Sequence, residues 1–253
     1  MALVFGLVVG SFLNVLIYRL PRGESIVRPG SHCPSCQAAI RFYDNIPVLS
    51  FLWLKGRCRA CGATISRRYP LVEFISGLFA LAAFLRFTPV WAALIYFAFC
   101  AALIVITFVD LDTQTIPFFI AVPGIPLGML AAVVLPGITF IDSLWGVLLG
   151  GGILFAVGWI YKRISGIEGM GFGDVELLAM IGAFVGPRGV VVTILVSALL
   201  GSIIGLTVMA IQKRDLKYAI PYGPFLSIGA IAYLFWGDLI ITSYSRMMQN
   251  LWR

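Results

Sequence analysis

Charged residues are scarce in this sequence. Only 11% of the 253 residues are charged, whereas about a quarter of an average soluble domain is charged. Apolar residues make up 60% of the chain, and the mean hydropathy is +1.01. This balance excludes an ordinary soluble domain and predicts a polytopic membrane protein.

The N-terminal stretch also lacks the marks of a cleaved signal peptide. Residues 1–17 carry no basic residue, and the apolar run continues into Tyr-Arg-Leu-Pro without a small-residue cleavage site. We therefore expect a retained first transmembrane helix. Low-complexity tracts and internal repeats are not evident either.

Apolar runs of near-spanning length recur along the chain. A helix needs about 20 apolar residues to cross a bilayer, and prolines fall at many of the breaks between runs, where they start or end helices. The predicted fold is an all-α polytopic membrane protein with about eight transmembrane helices and a small loop domain. The runs are 2–18, 71–87, 91–109, 118–135, 143–161, 174–186, 190–212 and 222–241.

Basic residues are unevenly distributed. The net charge is +7, yet nine of the 18 Lys and Arg residues lie between Arg19 and Arg68, in the one long polar segment. Basic loops of this kind stay in the cytoplasm against anionic lipid headgroups, so we expect a lipid bilayer and no nucleic acid as partner. With this segment inside, 14 basic residues lie on the inner side and four on the outer. Both termini are then expected outside.

The polar segment contains two Cys-x2-Cys pairs. They are Cys33 with Cys36 and Cys58 with Cys61, a spacing typical of four thiolates around a structural Zn²⁺ ion. A cytoplasmic location disfavours disulfides. Redox-active dithiols are the alternative interpretation.

Two acids stand at the ends of apolar runs. Asp174 follows the glycine-rich sequence Gly169-Met-Gly-Phe-Gly and opens a short run of 13 residues, and Asp110 ends the run 91–109. Ionisable groups at membrane depth indicate function, so the two form a candidate acid–base pair, with Asp112 as the alternative to Asp110. Gly171 and Gly173 lack a Cβ atom, so the backbone there can adopt positive φ and let another chain approach closely beside the acid. A helix N-terminus at Asp174 favours its anion and hence a role as the base.

Several segments resemble the bacterial type IV prepilin peptidases, and together they span residues 10–177. Phe118 departs from the family, which usually has Asp or Asn there. The segments are Gly-Ser-Phe-Leu-Asn-Val-Leu-Ile-Tyr-Arg-Leu-Pro at 10–21, Cys-Pro-Ser-Cys at 33–36, Asp-Asn-Ile-Pro-Val-Leu-Ser at 44–50, Lys-Gly-Arg-Cys-Arg-Ala-Cys at 55–61, Ser-Arg-Arg-Tyr-Pro-Leu-Val-Glu at 66–73, the Asp110 segment and Gly-Phe-Gly-Asp at 171–174.

This resemblance implies an aspartic membrane endopeptidase of the bacterial inner membrane, with both termini periplasmic. Such enzymes remove the leader peptide of prepilins and pseudopilins of type IV pilus and type II secretion systems. Members with the cysteine loop then N-methylate the new N-terminal residue with S-adenosylmethionine. The catalytic pair maps onto Asp110 and Asp174, with Gly171 and Gly173 as the supporting loop.

The resemblance also suggests three regions. Residues 1–18 form the first helix, 19–70 the cytoplasmic zinc-binding and methyltransferase part, and 71–253 the multi-span peptidase. Glu73 is the candidate for the S-adenosylmethionine site, and an ion pair with Arg67 or Arg68 is its structural alternative. Peptidase activity alone, a proton-coupled transporter using the two acids, and a zinc-bearing scaffold are the competing functions.

Overall fold

The computed structural model describes residues 1–166, 171–212 and 221–251, and they are mostly helical. Short 3-10 turns occur at Leu20–Arg22 and Phe42–Asn45. The helices are α1 (Ala2–Arg19), α2 (Leu49–Trp53), α3 (Arg68–Arg86), α4 (Val90–Thr113), α5 (Phe118–Val134), α6 (Phe140–Ser165), α7 (Phe172–Gln212) and α8 (Gly223–Leu251).

The predicted all-α membrane fold is confirmed. Within the described ranges six helices are long and apolar enough to cross a membrane, and α5 is an apolar helix of shorter length. Helix α7 has 41 residues, roughly 60 Å if it were straight, or twice the bilayer core. Gly186 divides it, because its φ of 69° and ψ of −177° are not helical. The two parts correspond to the predicted runs 174–186 and 190–212.

One compact unit comprises Met1–Val109. Helices α1 and α3 pack antiparallel in it, with Gly6 against Ser76 and Ala80 and Gly10 against Glu73. A Cβ atom at Gly10 would lie 2.6 Å from the Cα of Glu73, so only glycine permits this approach. The buried Ser76 hydroxyl donates to the Gly6 carbonyl at 2.7 Å. This hydrogen bond stabilises the contact between α1 and α3.

The polar segment of this unit contains two similar turns. Around the first cysteine pair, the Cys33 amide donates to the Ala38 carbonyl and the Gln37 amide to the Cys33 carbonyl. Around the second, Cys58 is bonded in the same way to Ala63 and Gly62. An isolated antiparallel bridge accompanies each turn, His32 with Ala39 and Arg57 with Thr64. The segment therefore holds a small structural repeat that the sequence analysis did not detect.

The second compact unit comprises Asp110–Arg253. The first part of α7 lies between α5 and α6, and glycines make both contacts close. Gly146 of α6 meets the Gly182 backbone, and Gly124 of α5 meets Met180. Farther along, Gly150 meets Leu178 and Gly128 meets Ala183, so α6 runs antiparallel and α5 parallel to this part of α7. The N-terminal ends of α5 and α7 therefore lie at the same end of the unit.

Helix α8 packs antiparallel along the second part of α7. Gly229 lies against the backbone of Thr193, and Gly189 lies against Tyr233. The boundary between the two units falls inside α4, between Val109 and Asp110. The functional boundaries 1–18, 19–70 and 71–253 remain a prediction.

Candidate active site and metal centre

Asp110 is a buried acid near the C-terminal end of α4. Its side chain is 4% exposed, whereas Asp112, two residues later, is exposed. A helix places such residues on different faces, which explains the contrast. The structure thus separates two acids that the sequence left as alternatives.

Asp174 is the third residue of α7. The helix begins at Phe172, and the Asp174 amide donates to the Gly171 carbonyl at 3.2 Å. The carboxyl therefore lies in the first helical turn, where the helix dipole favours negative charge. Gly169 and Met170 lie outside the described residues.

The glycines before Asp174 act through their size. A Cβ atom at Gly173 would lie 2.9 Å from the Cβ of Ile116, and one at Gly171 would lie 3.6 Å from the Asp174 carboxyl. The φ of Gly173 is not positive. Gly173 instead lets the segment after Asp110 approach the start of α7.

This approach brings the two acids together. The carboxyl groups of Asp110 and Asp174 are close enough to interact electrostatically. The Gly223 amide, at the start of α8, donates to Oδ2 of Asp110 at 2.9 Å. Both acids therefore face helix N-termini, and the helix-dipole argument that favoured Asp174 as the base no longer distinguishes them.

Glu73 is buried in α3 beneath the polar segment. Its Oε2 accepts the Val48 amide at 2.7 Å, and the Ser11 hydroxyl donates to the same carboxyl group. These two partners hold the carboxyl, and neither Arg67 nor Arg68 pairs with it among the described residues. Val48 has a φ of 63° and caps α2, so Glu73 fixes a strained turn of the polar segment.

Two residues of the N-terminal motif at 10–21, Asn14 and Arg19, are buried and make hydrogen bonds to backbone carbonyls. The buried Asn14 amide donates to the Tyr69 carbonyl at 3.1 Å. The buried Arg19 guanidinium donates to the carbonyls of Ser25, Pro29 and Gly30. The motif thus joins α1 to the start of α3 and shapes the loop that follows.

This loop and α1 enclose a cavity of about 320 Å³. Its walls combine apolar side chains with polar groups, among them Ser11, Phe12, Arg19, Gly30 and Asn45. Ligand pockets in proteins span about 300 to 1,000 Å³ and are mostly apolar, with a few well-placed polar groups. The cavity thus lies at the lower end of the size range of small-molecule sites.

The four cysteines converge on one point. Their sulfur atoms all lie within 4.8 Å of one another, and Cys33 and Cys61 are 3.9 Å apart. Tetrahedral thiolate ligation of zinc places sulfurs about 3.8 Å apart, so the cluster fits a zinc ion. Hydrogen bonds from the Cys36 and Ser35 amides lower the pKa of the Cys33 thiol to about 6, which favours the metal-binding thiolate form of this one cysteine.

An ion pair braces the second cysteine turn. The Arg59 guanidinium binds the Asp44 carboxylate at 2.7 to 3.1 Å through two nitrogens, and this interaction lowers the pKa of Asp44. Bidentate contact fixes the orientation of both groups. It connects the Phe42–Asn45 turn to the second cysteine pair.

The chain matches two families over most of its length. Residues 97–206 match the type IV leader peptidase family, and this range contains both Asp110 and Asp174. Residues 4–87 match the bacterial peptidase A24 N-terminal domain, which contains the four cysteines and Glu73.

Individual relatives extend across nearly the whole chain. A protein of Stutzerimonas stutzeri named prepilin leader peptidase/N-methyltransferase is 37% identical, covering 96% of this chain and 92% of the relative. Proteins of the same name from Aeromonas salmonicida (strain A449) and Pseudomonas aeruginosa are each 35% identical, covering 95% and 96% of this chain and 91% of each relative. The chain therefore belongs to the type IV leader peptidase family. No solved structure matches it.

Sequence reasoning missed the contribution of α8 to the acid site. Gly223 stands between Tyr222 and Pro224 at a predicted helix start. A glycine flanked by proline at a helix start is a signal for a special backbone position. Its partner 113 residues earlier could not be inferred from that signal.

Proposed function

We propose that this chain is an aspartic endopeptidase of the bacterial inner membrane that removes the leader peptide of type IV prepilins and pseudopilins and then N-methylates the new N-terminal residue. One observation carries the peptidase half: the buried Asp110 lies within electrostatic reach of Asp174. Both acids fall inside the leader peptidase match. The names of the relatives supply the substrate class and the second activity.

Cleavage needs the two carboxyls in opposite protonation states. The ionised one takes a proton from water, which attacks the scissile carbonyl, and the protonated one polarises that carbonyl. The proton then passes to the departing amine. Carboxyls that share a site do not readily ionise together, so this division arises from their proximity. The exposure of Asp112 supports Asp110 as the second acid of the pair.

The cavity beside α1 is the proposed S-adenosylmethionine site. Ser11 and Asn45 offer polar groups to the donor, and Phe12 offers an apolar face. Glu73 stabilises the wall, because it holds both Ser11 and the residue after Pro47. When bound, the donor supplies a methyl group from its sulfonium to the free amine of the cleaved substrate. The amine proton leaves to solvent.

The four cysteines are proposed to hold a structural zinc ion. Four thiolates close the coordination shell, so the ion has no free position for chemistry. Its effect is to hold the two similar turns together and to keep the cavity wall in place. Zinc binding therefore supports methyl transfer more than cleavage.

Sidedness is proposed from charge. The polar segment 19–70 is cytoplasmic and both termini are periplasmic, because basic residues concentrate on the inner side. Asp110 and Asp174 then lie toward the cytoplasm. This is the side on which prepilin leaders reside before cleavage.

A two-part assay with the purified chain in lipid tests the function. A prepilin peptide with its leader and apolar helix is expected to be cut at one bond. The product is then expected to receive label from S-adenosylmethionine at its new N-terminus. A chain that cuts no prepilin or pseudopilin under these conditions contradicts the proposal, and cutting without labelling leaves a peptidase alone.

A further inference from the structure

A main-chain amide holds the buried acid of the site. The Gly223 N–H donates to Oδ2 of Asp110 at 2.9 Å, and Asp110 is 4% exposed. This N–H is one of the donors left without a helical partner where α8 begins. Pro224, the next residue, has no N–H of its own. The start of α8 therefore offers this amide to the carboxyl.

Only glycine fits at this position. A Cβ atom at residue 223 would lie 2.7 Å from Oδ2 of Asp110 and 3.3 Å from its Cγ. Such distances are too short for a relaxed contact, so any other residue displaces the carboxyl or the helix start. Glycine is therefore needed at position 223 because of the nearby Asp110 carboxyl. It is not needed for a left-handed backbone conformation, since Gly223 does not have positive φ.

The residue before this glycine is held by its own side-chain contacts. The Tyr222 hydroxyl lies 2.8 Å from the hydroxyl of Ser197, which is fully buried in the second part of α7. The ring of Tyr222 also lies 6.4 Å from that of Phe225. These contacts fix the residue that precedes Gly223.

We propose that Gly223 is a positioning residue of the peptidase, and that the Tyr222–Ser197 hydrogen bond holds it in place. The proposal rests on the proposed function of Asp110. With Oδ2 held by the amide, rotation of the carboxyl is restricted and Oδ1 is the oxygen left to meet water or substrate. Misplacing a reacting group by about 1 Å can reduce a rate about 100-fold, so this restraint has a measurable effect.

The sharpest experiment replaces the Gly223 amide by an ester. Full-length chain is made by cell-free translation into liposomes with glycolic acid at position 223, which replaces the N–H by an ester oxygen and adds no side chain. The kcat of leader cleavage is expected to fall about 10- to 100-fold, the loss typical of a hydrogen bond to a charged group. KM for the prepilin peptide is expected to stay within about twofold, and methylation of pre-cleaved pilin is expected to be unchanged.

Side-chain variants give an independent test. Gly223→Ala is expected to reduce kcat at least as much as the ester. Gly229→Ala is the matched control, because its Cβ atom would lie 2.6 Å from the Thr193 carbonyl oxygen, a similar collision away from the acids. Gly201→Ala, with 3.7 Å to Phe225, is expected to behave as wild type.

The anchor is tested with Tyr222→Phe and Ser197→Ala. Each is expected to lower kcat about 3- to 10-fold, and the double variant is expected to be no worse than either single one, because both remove the same hydrogen bond. Additive losses would contradict the anchoring role.

The outcomes separate this inference from the proposed function. An ester variant with wild-type kcat overturns the positioning role, as do equal losses of kcat and of melting temperature in Gly223→Ala and Gly229→Ala. If Asp110→Asn still cleaves, the proposed function itself fails. If Asp110→Asn is inactive while the ester variant is fully active, the positioning role of Gly223 is contradicted and the proposed function stands.

Discussion

Gly173 and Ile116 touch in a way that no side chain on residue 173 would allow. A Cβ atom there would lie 2.9 Å from the Cβ of Ile116. This contact joins the segment that follows Asp110 to the helical turn that carries Asp174. Because glycine is small, it allows the two acid-bearing segments to approach closely. We call Gly173 the spacer between these segments.

The first prediction concerns this spacer. Gly173→Ala is expected to lower kcat of leader cleavage by about 10- to 100-fold, because the added methyl pushes the acid-bearing segments apart and misplaced groups react slowly. Gly171→Ala is the matched control. Its Cβ atom would lie at an ordinary 3.6 Å from the Asp174 carboxyl, so its loss is expected to be under about threefold. Equal losses of kcat in the two variants would show that the small size of Gly173 does not control the approach of the two acids.

The second prediction concerns helix packing. Gly146→Ala forces a methyl group onto the backbone of Gly182 and is expected to destabilise the protein by about 1 to 3 kcal/mol. Gly152→Ala, on the same helix but with no atom within 4 Å, is expected to be neutral or slightly stabilising. Thermal unfolding in detergent measures both. A Gly146→Ala protein as stable as wild type would contradict the close packing of α6 and α7.

Much of this fold could be predicted from the sequence. Apolar runs predicted most helix ends to within a few residues, although α8 continues to Leu251, well past the predicted end at residue 241. Prolines marked several of the breaks between helices. Even the division of α7 at Gly186 was anticipated by Pro187 and by the length of a bilayer span. These features depend on local composition, which a single sequence displays.

The site was only partly predictable. Asp110 and Asp174 were identified from their position at the ends of apolar runs, and the four cysteines from their spacing. The contacts of Gly223 with Asp110 and of Glu73 with Val48 join residues far apart in the chain. Such contacts depend on how helices cross, which periodicity and motif spacing do not specify.

The third prediction concerns the metal. Wild-type protein is expected to contain one zinc per chain, and Cys33→Ser combined with Cys36→Ser is expected to abolish it, because two ligands cannot complete the tetrahedral shell. Elemental analysis of the purified proteins measures this. Cys100→Ala is the control, because Cys100 is buried in α4 away from the cluster. Zinc content that survives the double substitution would refute the assignment.

Loss of zinc is expected to affect the two activities differently. Proteolysis of the 19–70 segment should become faster and methyl transfer should fall, since the cysteine turns support the cavity wall. Leader cleavage should fall less, because no cysteine contacts the acids. A zinc-free variant whose leader cleavage falls more than its methyl transfer would contradict this expectation.

The fourth prediction separates the two chemistries. Asp174→Asn protein supplied with pre-cleaved pilin and labelled S-adenosylmethionine is expected to methylate it. Glu73→Ala is expected to have the opposite effect, with methyl transfer reduced about tenfold or more and cleavage nearly retained, because the cavity wall loses its support. Loss of methyl transfer in Asp174→Asn would mean that the acids serve both reactions.

Glu73→Gln refines this prediction. Its amide oxygen can still accept the Val48 amide, so a supporting role predicts that most methyl transfer survives. A Glu73→Gln protein as defective as Glu73→Ala would show that the negative charge acts on the methyl donor directly. Cleavage of the leader by the same samples serves as the internal control for folding.

The central claim is that Asp110 and Asp174 act as a catalytic pair. The most direct test measures leader cleavage by purified Asp110→Asn, Asp174→Asn and Asp112→Asn proteins of equal stability. The first two are expected to show no detectable cleavage, because each leaves the pair without a carboxyl. The third is expected to retain activity within about threefold, since Asp112 is exposed. Substantial cleavage by either of the first two variants would contradict the account.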